Sequence, residues 1–76
     1  MRDRDTLTRV LAVERIIQRH REGITTNQII SRLDTEYGIA ADRKTIYNII
    51  AVLTRFYPIY TERREGLFFY VCREEK

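Results

Sequence analysis

Residues 38–58 read GIAADRKTIYNIIAVLTRFYP, and the spacing within this stretch decides the fold. Asp42 has the side chain of a helix N-cap, and the apolar positions Ile46, Ile49, Ile50 and Leu53 that follow it recur with a helical period. Pro58 lacks an amide donor and its ring clashes with a preceding helical turn, so the helix must stop before it. The expected helix covers 43–56. Gly38-Ile39-Ala40-Ala41 precedes it as a short glycine-containing turn, the connection that sets two helices across one another in a helix-turn-helix.

Working upstream, Thr25 and Gln28 form a capping-box pair, and Ile24 can staple onto Ile29. A second helix is therefore expected over 26–37, with Ile29, Ile30, Leu33 and Tyr37 on one face and Gly38 ending it. Leu7, Val10, Val13 and Ile17 recur helically between Thr6 and Arg21, flanked by Leu11 and Ile16, which predicts a first helix over 6–21. His20 and Arg21 fall in its last turn as capping or packing residues, and Gly23 supplies a positive-φ stop.

Downstream of Pro58 the pattern changes. Ile59-Tyr60-Thr61-Glu62 and Leu67-Phe68-Phe69-Tyr70-Val71 are rich in β-branched and aromatic residues, separated by Arg63-Arg64-Glu65-Gly66. A hairpin over 59–72 with a charged tip is expected. The fold class is thus mainly α with a small β-hairpin: a winged helix-turn-helix in one domain over residues 1–76, three helices followed by a two-stranded wing. Ile24 would add a short third strand.

Composition narrows the function. Seventy-six residues can bury a core but leave no room for an enclosed catalytic pocket. An apolar fraction of 43% and a charged fraction of 33% describe a chain that folds. Cys72 is the single cysteine and His20 the single histidine, so neither an intramolecular disulfide nor a zinc site can form, and Cys72 reads as a small apolar strand residue. Isolated glycines offer no phosphate loop, and no cofactor or metal is expected. Without a nucleophile and base that could meet in a cleft, an enzyme is not expected. No leader pattern and no apolar run of membrane length is present, which makes a cytoplasmic location without a membrane partner the expectation.

The net charge of +3 is unevenly spread. Residues 40–64 alone carry +3, residues 1–39 carry +1 and residues 65–76 carry −1. In a helix-turn-helix the second helix of the pair enters the major groove, which admits one helix and displays each base pair as a distinct pattern of donors and acceptors. With the isoleucines of 43–55 turned inward, Arg43, Lys44, Tyr47 and Asn48 face outward, with Thr45 alongside. Arg and Lys suit guanine, Asn suits adenine, and hydroxyls suit phosphate. Two cations in a first helical turn oppose the macrodipole, a cost that an external anion would offset. Arg43 or Asn48 is expected to read a base edge. Arg63 and Arg64 are expected on the wing, against the backbone or the minor groove. Thr25, Thr26 and Asn27 start the helix that crosses the backbone and can donate to a phosphate, although capping alone accounts for Thr25.

The run Tyr37-Gly38-Ile39, then Asp42-Arg43-Lys44-Thr45-Ile46-Tyr47, resembles the N-terminal winged helix-turn-helix domain of WYL-domain transcriptional regulators, and DeoR-type repressors begin similarly. The resemblance covers the chain from the first helix through the hairpin. It implies operator-type binding of double-stranded DNA in transcriptional regulation through Arg43, Lys44, Thr45 and Tyr47. After the tyrosine such regulators commonly carry a basic and then an acidic residue, where this chain has Asn48 and Ile49, so base preference does not carry over. They also continue into a ligand-sensing domain, whereas this sequence stops at Lys76. An excised domain and a free-standing small protein both remain open.

A second reading belongs to another class. Tyr57, Tyr60, Phe68, Phe69 and Tyr70 can build an aromatic patch of the composition that interface cores favour. The domain would then be a small protein-interaction module or inhibitor, of a kind phages and mobile elements encode. Phe68 and Tyr70 point one way along the strand and Leu67, Phe69 and Val71 the other, so only one set is expected to cover the helices. A homodimer is expected because one short recognition helix reads few base pairs, and its interface is expected on the first helix or the hairpin because the hairpin holds more aromatic surface than one sheet face can bury.

Overall fold

The structure, a computed structural model, describes residues 2–73, with backbone alone for residues 2–5. Three helices, α1 (Arg2–Arg19), α2 (Thr26–Tyr37) and α3 (Arg43–Leu53), precede two antiparallel strands, β1 (Ile59–Arg64) and β2 (Leu67–Cys72). This is the winged-helix layout.

The start of α2 shows how local chemistry fixes an element. The Thr25 hydroxyl accepts from the Gln28 amide at 3.2 Å, and the Gln28 side chain accepts from the Thr25 amide at 3.1 Å. Two amides that would otherwise lack partners are thereby satisfied. Gly38 ends the helix in the left-handed conformation at φ 66°, with its amide donating to Asp34 and that of Ile39 to Leu33. Asp42 caps α3 by accepting from the Thr45 amide at 2.9 Å.

Several boundaries differ from the sequence expectation. The first helix begins at Arg2 and stops at Arg19, so His20 and Arg21 lie beyond its last turn. The imidazole Nδ1–H of His20 donates to the Ile16 carbonyl at 2.9 Å and closes the helix end in place of a further turn. The third helix ends at Leu53 rather than 56. Arg55 and Phe56 continue it with tighter bonds to Val52 and Leu53, leading to the Pro58 stop. The hairpin turn is Glu65-Gly66 alone, both at positive φ (52° and 80°), as a two-residue turn between right-twisted strands requires. Arg63 and Arg64, expected at the tip, are paired within β1, opposite Phe68 and Leu67.

The core is formed by Ala12, Val13, Ile16 and Ile17 of α1, Ile24 just before α2, Ile29 and Leu33 of α2, and Ile46, Ile49, Ile50 and Leu53 of α3. Leu7 and Leu11, expected on or beside the buried face of the first helix, are exposed. Tyr37, expected on the buried face of α2, is the last residue of that helix and is 38% exposed. Ile24 and Tyr70 bond to each other through both backbone groups, giving the expected third strand as a single bridge.

One face of the hairpin covers the helical core, and the other is closed separately at its base. Ile59, Tyr70 and Cys72 pack against the helical core, while Val71 is buried on the opposite face beside Gly23. Gly23 permits this approach. It sits at φ 118°, and a Cβ there would meet the Cβ of Phe69 at 3.1 Å and Cγ2 of Val71 at 3.3 Å.

Candidate nucleic-acid interface

Where α3, the start of α2 and the wing converge, they enclose an open cleft of about 410 Å³. Thr25, Thr26 and Asn27 reach it from α2, Arg43 and Tyr47 from α3, and Thr61, Phe68 and Tyr70 from the hairpin. Five of the ten expected site residues are therefore neighbours here, although they are separated by 16 or more positions in sequence between the two helices.

The cleft is held by specific bonds. Arg43 donates from Nη2 to Asn27 Oδ1 at 3.0 Å and from Nη1 to the Tyr47 hydroxyl at 3.3 Å. On the far wall Thr26 Oγ1 lies 3.4 Å from the hydroxyl of Tyr70 and donates to it. The first contact fixes α3 against α2, and the second fixes α2 against the wing. None of these groups is an acid.

The electrostatics of the two helix starts differ. Asp42 carries the negative charge at the N-terminus of α3, and the Thr45 amide bonded to it holds its carboxyl below the ordinary aspartate value. The α2 cap is the neutral Thr25, with no acidic residue in the first turn. Near the other end of α2 Glu36 accepts from both Arg19 and Arg32, tying α1 to α2. The hydrogen bond from Arg19 is the main cause of its lowered pKa.

Lys44 and Asn48 are exposed on the outer side of α3. Thr45 is half-buried on the flank away from the wing, outside the cleft lining. The wing arginines separate. Arg63 shares the cleft face with Phe68, its guanidinium 5.5 Å from that ring. Arg64 lies on the other face. It stacks 4.3 Å from the Phe69 ring, pairs with Glu62 at 3.2 Å and donates to the Glu22 carbonyl. The expected backbone anchor is thus held against its own chain.

Sequence reasoning missed Thr61 and Arg55. Thr61 enters the cleft because it stands opposite Tyr70, a register that the two-residue Glu65-Gly66 turn would have given. Arg55 is exposed just past α3, eleven positions from Lys44 and so along the same line of the helix. Among the described residues no group of three His, Cys, Asp or Glu side chains is placed to hold a metal, and no helix is long and apolar enough to cross a membrane. No protein-family model matches the chain, and no curated protein or solved structure matches it either.

Proposed function

We propose that this domain binds double-stranded DNA sequence-specifically and acts in transcriptional regulation in the cytoplasm without catalysis, as the resemblance to WYL-type regulators implies. The observation that carries this reading is the cleft between α3 and the wing. It gathers Arg43, Asn27, Thr26 and Tyr47 beside a recognition helix whose outer side presents Lys44 and Asn48. A phosphodiester strand supplies the anion that such a cation-and-hydroxyl wall suits, and α3 then lies in the adjoining major groove. A homodimer would place two recognition helices on successive half-sites. Exposed Leu7 and Leu11 of α1, with Tyr37 nearby around a shallow depression, offer an apolar surface for it.

The deciding experiment is fluorescence anisotropy with duplex DNA at several salt concentrations. Binding whose logarithm falls linearly with log salt is expected. No affinity tighter than about 10⁻⁴ M at physiological salt, the weak end of non-specific binding, would exclude DNA as the partner. One observation favours the protein-interaction reading instead: Phe56, Tyr60, Leu67 and Phe68 are all more than half exposed, Phe56 at 75%.

A further inference from the structure

We infer that α3 divides its two tasks between adjacent side chains: Lys44 and Asn48 read base edges, whereas Arg43 clamps the sugar-phosphate backbone at the mouth of the cleft. The inference rests on the DNA-binding reading above and assigns the roles within it.

Position on the helix separates the residues first. At 100° per residue, the buried Ile46, Ile49, Ile50 and Leu53 define the inward direction, and positions 44, 48 and 51 lie on the opposite line. All three are exposed. Arg43 and Tyr47 sit round toward the start of α2 and the wing, and both line the cleft. Only the outermost line of a helix lying in the major groove meets base edges, because its flanks face the two phosphate backbones.

The second argument concerns what each side chain is free to do. To grip guanine, Arg43 would have to swing away from both Asn27 and Tyr47, giving up two hydrogen bonds. Clamping a phosphate requires no such move. Two of its five N–H donors are already spent in holding the guanidinium plane, and three remain for phosphate oxygens. Asn27 and Tyr47 are then positioning residues for Arg43. Lys44 and Asn48 donate no hydrogen bond to any described residue, so neither sacrifices one on meeting a base. One helical turn apart, they match successive steps: an ammonium for guanine O6 and N7, and an amide whose donor and acceptor suit adenine N7 and N6. Ala51, next on the line, offers a methyl group that can touch a thymine methyl and lets the helix approach closely.

The test uses the full chain and a preferred duplex selected from a random library, with a scrambled duplex beside it. Asn48→Ala should lose about 5- to 150-fold on the selected duplex with little change on the scrambled one. Arg43→Ala should weaken both duplexes by the same factor and lower the slope of log affinity against log salt by about one unit. Asn27→Ala should weaken both equally and by less. All three side chains are exposed, and unchanged melting curves verify that the variants fold. If Arg43→Ala abolishes the preference while Asn48→Ala preserves it, the division of tasks is wrong although DNA binding stands. If the unaltered chain binds neither duplex, both readings fall together.

Discussion

Ile24 and Tyr70 exchange both backbone hydrogen bonds, N···O 3.1 Å from Ile24 to Tyr70 and 2.8 Å in return, and this bridge joins the hairpin to the helix-turn-helix. It adds a backbone tie to the Thr26–Tyr70 side-chain bond and to the packing of Ile59, Tyr70 and Cys72 on the helical core. With it, the strand that carries Phe68 and Tyr70 is set beside the start of α2, and the cleft acquires its third wall. The Ile24 side chain is fully buried in the core, so the same residue anchors both layers. Ile24→Ala should cost about 2–5 kcal/mol, measured by urea unfolding. A cost under about 1 kcal/mol would deny it that place.

Gly23 and Gly38 both have positive φ, but only Gly23 is crowded. Gly38→Ala should cost about 1–2 kcal/mol for the left-handed backbone alone. Gly23→Ala should cost more, since its Cβ also presses on Phe69 and Val71. Equal costs in parallel denaturant titrations would show that the wing can yield there.

Acid should loosen the ends of two helices. Asp42 and Glu36 both have lowered pKa values, Asp42 through the Thr45 amide and Glu36 through Arg19. A carboxyl that protonates less readily folded than unfolded stabilises the fold above its unfolded pKa, and that contribution is lost as pH falls through the folded pKa. The melting temperature should therefore hold from neutral pH to about pH 5 and drop below about pH 4. Asp42→Asn keeps a capping oxygen that does not titrate, so its decline should be shallower. Superimposable pH profiles for the two proteins would count against a role for the Asp42 charge.

The wing arginines should separate by readout. Arg64→Ala removes the tie to Glu22 and the stack on Phe69, so it should lower the melting temperature and leave the salt slope of DNA binding nearly unchanged. Arg63→Ala, on the cleft face, should lower that slope by about one unit with little effect on melting. The reverse pattern would assign the backbone contact to Arg64.

Association through α1 is tested by Leu11→Glu, at a position 55% exposed and outside the core. The unaltered chain should sediment as a dimer at about 100 μM, a concentration well above the micromolar affinity range, and the variant as a folded monomer. A dimer that survives the substitution would move the interface elsewhere.

Local signals were legible wherever one stretch of chain supplied both partners. Thr25 with Gln28, Asp42 with its own helix, and Pro58 as a stop fixed α2, the start of α3 and the change to strand. The hairpin ends agree as well, because alternation and a positive-φ turn are properties of neighbouring residues. Expectation failed where a distant group competes. Leu7 continues the spacing of Val10, Val13 and Ile17, but helical period cannot say how far along α1 a partner extends, and burial begins only at about Val10, whereas Leu11 lies about 200° round the helix from Val13 and faces away from the core. Arg64 and Arg63 are indistinguishable as a dipeptide. Strand pleating sends one to each face, and only folding brings the Glu22 carbonyl and Gly23 beneath Arg64 while leaving Arg63 beside Phe68. Asn27 and Arg43, 16 positions apart, likewise meet only once α2 and α3 cross. The sequence by itself determined the elements and their order, because caps, turns and periodicity act over a few residues. Tertiary structure decided which charges stay free, because a hydrogen-bond partner far along the chain appears only after the helices and wing have packed.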